Sequence, residues 1–214
     1  MPRVETHYPS YDIMALQDEW DSNTKEIVKK RLGPFSKPKF LKEKEVTLLA
    51  KISEHLTFDN RDEIIQWIIH HADQKLQTVI GEGEKKPEAP AEKVLVRKGL
   101  EAIDKLAETK YGKEFLKIDT KEQFGILAAL QLGKADQLPE WSIIPQKELF
   151  NKLAEIAISA YYSHPTVWSE IGYGGPAYPR GYYRIEFGLA DPWEAKKEGS
   201  LPSGFGEEEK RNGE

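Results

Sequence analysis

From Glu43 to Leu56 the apolar residues Val46, Leu49, Ile52 and Leu56 recur at spacings of three and four. That repeat gathers side chains on one stripe of an amphipathic helix. A second stripe, from Ile64, Ile65, Ile68 and Ile69 through Ala72 and Leu76 to Val79, follows Thr57-Phe58-Asp59-Asn60. Asp59 or Asn60 offers its N-cap and Gly81 its stop. With about four residues between them, the two helices should pack as an antiparallel hairpin. Val94, Leu95, Ile103, Leu106 and Ala107 mark a third helix. Phe124, Leu127, Ala128 and Leu130 mark a fourth, with Thr120 and Gln123 in capping-box register before it. Leu149, Phe150, Leu153, Ile156, Ala157 and Ala160 place a fifth over 146–162. No strand pattern of comparable length competes, so the expected fold class is all-α, a compact bundle of about five helices.

Two stretches lie outside this pattern. Residues 1–42 read as an extended N-terminal arm: Ile13, Met14, Leu16 and Trp20 are sparse, and Pro34 and Pro38 end any helix begun over Thr24–Leu32. Residues 163–193 hold a density of rings, glycines and prolines that should form an irregular loop rather than a helix. The division expected is therefore arm 1–42, bundle 43–162 with a flexible polar loop at 81–92, aromatic segment 163–193, and a disordered charged tail 194–214.

Nine aromatic residues fall between Tyr161 and Trp193, where an even spread would put about three. Each carries roughly 150–250 Å² of surface that water disfavours. They either fold back over the chain's own helices or form a protein-binding surface, since Tyr, Trp and Arg dominate interface hot spots. The partner-binding candidates are Tyr162, His164, Trp168, Tyr173, Tyr178, Arg180, Tyr182, Arg184 and Trp193, and alanine at Trp168 or Tyr182 is expected to lower recovery of a complex. A lasting interface buries about 2,000 Å² or more, so the arm should contribute to it as well.

Composition narrows the function. The 31 basic and 36 acidic side chains nearly cancel, which argues against nucleic acid or an anionic membrane as partner. The chain has no cysteine, which excludes disulfides, thiolate metal sites, cysteine-ligated clusters and thiol nucleophiles. The first twenty residues show no secretory pattern and no stretch approaches 18 apolar residues, so the expectation is a cytoplasmic protein without membrane insertion.

The run AYYSHPTVWSEIGYGGPAYPRGYYRIEFGLADPWE, with its His-Pro and Trp, Ile-Gly-Tyr, Gly-Pro and Arg-Gly-Tyr, resembles the C-terminal motif of the gluconate 2-dehydrogenase subunit 3 family. TLLAKISEHLTFDNRDEIIQWIIHHAD and GLEAIDKLAETKYGKEFLKIDTKEQFGIL are similar to its helical body, and the likeness runs over roughly residues 8 to 193. The resemblance implies a non-catalytic small subunit for a large FAD-dependent oxidoreductase of the glucose-methanol-choline type, which oxidises sugars, polyols or glycosides. It would stabilise that subunit, help it mature or shape its substrate entrance. The FAD and the catalytic groups would belong to the large subunit, leaving no cofactor on this chain. The alternatives are a free-standing helical interaction scaffold and a hydrolase using His164 with Glu170 or Asp191.

Other chemistry is weak. His70 and His71 point about 100° apart on a helix and cannot share a metal as an i, i+4 pair can. Glu63 and Asp73 read as solvated helix-surface charges. His164 reads as a cap for the carbonyl end of the fifth helix, Arg180 and Arg184 as forked partners for carboxylates. Gly172-Tyr173-Gly174-Gly175-Pro176 lacks the lysine of a phosphate loop and reads as a place of tight turns and close backbone approach.

Overall fold

The computed structural model describes residues 6–77, 91–181, 191 and 193–196. Among them the chain forms seven α-helices: α1 Ser22–Lys29, α2 Glu43–Thr57, α3 Asp62–Gln77, α4 Glu92–Tyr111, α5 Thr120–Leu132, α6 Gln146–Tyr161 and α7 Pro165–Ile171, with short 3-10 turns between some of them. The fold is all-α. No helix among the described residues is long and apolar enough to cross a membrane. The loop expected at 81–92 lies outside the described residues up to Pro90, and so does the tail beyond Lys196.

Two compact units divide the chain. One runs from Leu32 to Ser163; the other joins the residues up to Arg31 with those from His164 onward. The expected arm is thus split, residues 32–42 going with the bundle and the rest with the C-terminal segment.

In the bundle unit α6 packs against α2, α3, α4 and α5, and Leu149, Leu153, Ile156, Ala157 and Ala160 along it are buried, as the periodicity requires. Trp67 ties α3 to the end of α6 by donating its indole N–H to the Ala160 carbonyl at 2.9 Å. The capping details shift from those expected. Asp59 does not cap α3; its carboxylate takes the backbone N–H of Arg61 at 2.9 Å and pairs with that guanidinium. The box before α5 is Asp119 with Glu122, not Thr120 with Gln123: each carboxylate accepts the other's backbone N–H, at 2.8 and 3.0 Å. Gln123 is 4% exposed and bridges inward, from the Phe115 carbonyl at 2.8 Å to the His55 ring at 2.6 Å.

Residues 33–42 form a strap rather than the end of a free arm. Asp73 on α3 is buried and accepts the backbone N–H groups of Lys39, Phe40 and Leu41, each at 2.8 Å. It is not a solvated surface charge. Arg97 on α4 grips the strap from the other side, donating to the Phe40 carbonyl at 2.7 Å and to Glu45 at 2.8 Å while lying over the Phe40 ring.

Candidate docking site

The second unit places most of the sequence-predicted residues together. Asp12 caps a 3-10 turn over Ile13–Glu19 by accepting the Met14 N–H, and Asp21 caps α1 through the N–H groups of Asn23 and Thr24. These starts aim Ile13, Trp20 and Val28 inward. With Trp168 of α7 they make one apolar core, flanked by Tyr11, Met14 and Leu16. Trp168 is 6% exposed and lies beneath the Arg31 guanidinium, 5.1 Å from its ring centre. The arm therefore spends its apolar side chains on the chain's own C-terminal segment.

That segment is less irregular than its glycines and prolines suggest. His164 adopts an extended backbone with Pro165 in the first helical turn, and α7 runs for two turns to Gly172. His164 is a cap, but at the amino end of α7: its Nδ1 accepts the Thr166 N–H at 3.3 Å, and the residue is buried. Gly172, at φ +73°, ends the helix where a Cβ would come within 2.5 Å of the Tyr8 ring, and a Cβ on Gly175 would meet Trp20 at 3.0 Å. Close backbone approach is what these glycines allow.

Polar groups close the unit across the same join. Thr6 donates its hydroxyl to the Glu170 carbonyl at 2.6 Å, the Ile13 N–H donates to the Ser169 hydroxyl at 3.0 Å, and the Tyr11 hydroxyl donates to the Trp193 carbonyl at 2.8 Å. Burial holds the Tyr11 phenol above its ordinary pKa; Arg180 pulls the other way, while Glu194, Glu19 and Asp12 add to the rise. The phenol thus remains a donor at neutral pH. Arg180 pairs with Glu19 at 2.9 Å, donates to the Gly174 carbonyl and covers the half-buried Trp193 ring at 4.8 Å. Its carboxylate is on the arm.

Among the described residues of this unit, the large apolar side chains left outside are Ile27 at 45%, Ile171 at 49%, Tyr173 at 44% and Tyr178 at 71% exposed. Tyr173 is steadied by an edge contact to Trp168, centroids 5.3 Å apart. Tyr162 belongs to the bundle unit and is 54% exposed, its ring set edge-on against Tyr161. Tyr182 and Arg184 lie outside the described residues. Sequence reasoning overlooked Ile13, Trp20 and Val28 as the cover for Trp168; the small residues at 172 and 175 were the available signal.

Elsewhere Asp104, Glu108 and Glu114 come close enough to one another to hold a cation. The Lys44 ammonium already meets that charge, 2.6 Å from Asp104 and 3.2 Å from Glu114. His70 faces the Phe35 ring at 5.0 Å and His71 the Trp67 ring at 5.5 Å. A groove of about 420 Å³ in the bundle unit is lined by Phe35, Val46, Ile65 and Ile69 with Lys37 and Asp62 among its polar residues.

A family model described as Gluconate 2-dehydrogenase subunit 3 matches residues 43–175, more than half of the chain. The chain belongs to that family. No curated protein and no solved structure matches it. The gluconate 2-dehydrogenase subunit 3 match spans all five bundle helices and α7 and ends at Gly175. It takes in His164, Trp168, Gly172 and Tyr173, whereas the arm, Tyr178, Arg180 and Trp193 lie beyond it.

Proposed function

We propose that this chain is a non-catalytic small subunit that binds and stabilises a large FAD-dependent dehydrogenase of the glucose-methanol-choline type, acting on sugars, polyols or glycosides, and that it shapes that enzyme's substrate entrance. Membership of the subunit 3 family is the observation that carries the reading. The exposed rings of Tyr173 and Tyr178, with Ile171, are its docking anchors, held out from a unit in which Trp20 and Trp168 are already covered. The flavin belongs to the large subunit. Burial of His164 at 1% exposed and Asp191 at 2% weighs against the hydrolase reading, because a general base must reach its substrate.

The test is expression of the tagged chain in its native cells, followed by affinity capture and the yellow flavin absorbance of the eluate. Hot-spot rings cost 2 kcal/mol or more when truncated, so Tyr173→Ala with Tyr178→Ala should lower recovery at least tenfold while the chain's circular dichroism is unchanged. Equal recovery of the double variant would count against these anchors. Capture of other proteins without flavin would favour the general scaffold instead.

A further inference from the structure

The groove of about 420 Å³ in the bundle unit lies between α2 and α3, with the strap as its wall. Its floor is apolar: Ile65 and Ile69, 7% and 6% exposed, with half-buried Val46 and Ala50 from α2. The strap is pinned on both sides of it. Phe35 packs its ring on His70 at 5.0 Å, and Lys39 to Leu41 donate their N–H groups to Asp73, one turn further along α3. Ser36, Lys37 and Pro38 span the interval, all exposed, as a rim fixed at its two ends.

The polar groups of the lining are not equally committed. The Thr47 hydroxyl donates to the Glu43 carbonyl, and Asp62, the one carboxylate among the described lining residues, takes the Gln66 amide. Lys37 forms no ion pair with Asp62 or with any other described residue. Left over are the Ser36 hydroxyl, the Lys37 ammonium and the His70 imidazole, none hydrogen-bonded among the described residues.

We propose that this groove is a binding site for a free medium-chain carboxylate, its apolar tail on Ile65, Ile69, Val46 and Ala50 and its headgroup at Lys37 and Ser36. A cation and a hydroxyl on the rim of an apolar cleft match one anionic head on one apolar body, since the two carboxylate oxygens can accept from both donors at once. Size agrees. Small-molecule sites run from about 300 to 1,000 Å³, and 420 Å³ holds about fourteen water-sized groups at ~30 Å³ each, the heavy-atom count of dodecanoate. An acidic peptide would meet the lysine equally well, but its main chain would lose water and find few partners here. The N–H groups and carbonyls of α2 and α3 are bonded within their helices, and Asp73 already holds the N–H groups of residues 39–41. This inference does not rest on the flavoprotein partner and is tested without it.

Isothermal titration calorimetry of the full chain with dodecanoate, kept below its micellar range, is the test. One molecule should bind per chain, and dodecylammonium, with the same tail and the opposite charge, should bind at least fivefold more weakly. Lys37→Met keeps the stem and removes the ammonium; dodecanoate should then bind about fivefold more weakly, the upper end for a solvent-exposed ion pair, and the gap to dodecylammonium should narrow. Ala50→Phe fills the floor and should abolish binding of both while the circular dichroism stays that of the parent chain. Heat that never saturates, equal affinity of the parent chain and Lys37→Met for dodecanoate, dodecylammonium bound as tightly as dodecanoate, or undiminished binding to a folded Ala50→Phe would each overturn the proposal. So would saturable binding of the acidic peptide Glu-Phe-Leu-Glu where dodecanoate shows none.

Discussion

Asp73→Asn keeps the shape of the side chain and turns one of its two acceptor oxygens into a donor. The carboxylate receives three backbone N–H groups, from Lys39, Phe40 and Leu41, all at 2.8 Å. After the substitution at least one of them faces another donor. Phe40 and the 5% exposed Leu41 share one carboxylate oxygen and Lys39 uses the other, so the amide oxygen keeps the shared position and exposed Lys39 faces the new donor. The two retained hydrogen bonds lose their charged acceptor, falling from roughly 1.5–3 to about 0.5–1.5 kcal/mol each, so the expected loss is about 2 kcal/mol. For a chain of this size that lowers the unfolding midpoint by roughly 6 °C.

The pH dependence sharpens this test. Burial by itself would raise the Asp73 carboxyl, but the N–H groups of Lys39, Leu41 and Phe40 and the Gln77 amide outweigh it, and the net shift is downward from 3.8. A carboxyl lowered by folding contributes stability that is fully present above its unfolded pKa and is lost as pH falls through the lower folded value. The gap between the parent chain and Asp73→Asn should therefore hold from neutral pH to about 4 and close at lower pH. Urea unfolding followed by circular dichroism at three pH values measures it. A gap below about 1 kcal/mol at neutral pH, or one as wide under acid as at neutrality, would refute the strap anchor.

Two further substitutions probe close approaches. In Gly99→Ala the new Cβ would sit 2.1 and 2.9 Å from the two Cδ atoms of fully buried Leu149; overpacking of α4 against α6 should cost ~1–3 kcal/mol despite the better helix former, and an unchanged urea midpoint would show that the helices part freely. In Gly172→Ala the left-handed backbone at φ +73° costs a further ~1–2 kcal/mol, and the Cβ drives into Tyr8. Limited proteolysis should then cut faster within residues 6–31 and the fluorescence of Trp20 and Trp168 should shift towards that of solvated indole. Identical cleavage and spectra would mean that the arm is not seated on α7.

The five bundle helices were legible because their evidence is local: spacings of three and four residues report a buried stripe whatever lies across from it. Caps were legible only to within a residue. Asp119-Glu122 and Thr120-Gln123 both satisfy the capping pattern, and what separates them is that Gln123 is needed inside, between Phe115 and His55. The start of α7 was also written locally, in His164-Pro165 and Gly172, but the surrounding glycines and prolines outweighed a helix of two turns. Asp73 could not be read at all, since a carboxylate on a helix looks the same whether it faces water or the amides of a strap more than thirty residues away.

By itself, then, the chain's order of residues settled the family, the helical class and an excess of rings near the carboxyl end. Which rings are spare was decided in three dimensions. Trp168 is taken inside because Ile13, Trp20 and Val28, more than a hundred residues earlier, are brought over it; Tyr178 stays at 71% exposed because none of the described segments covers it. Burial belongs to pairs of surfaces, and no one-dimensional pattern records which distant surface arrives.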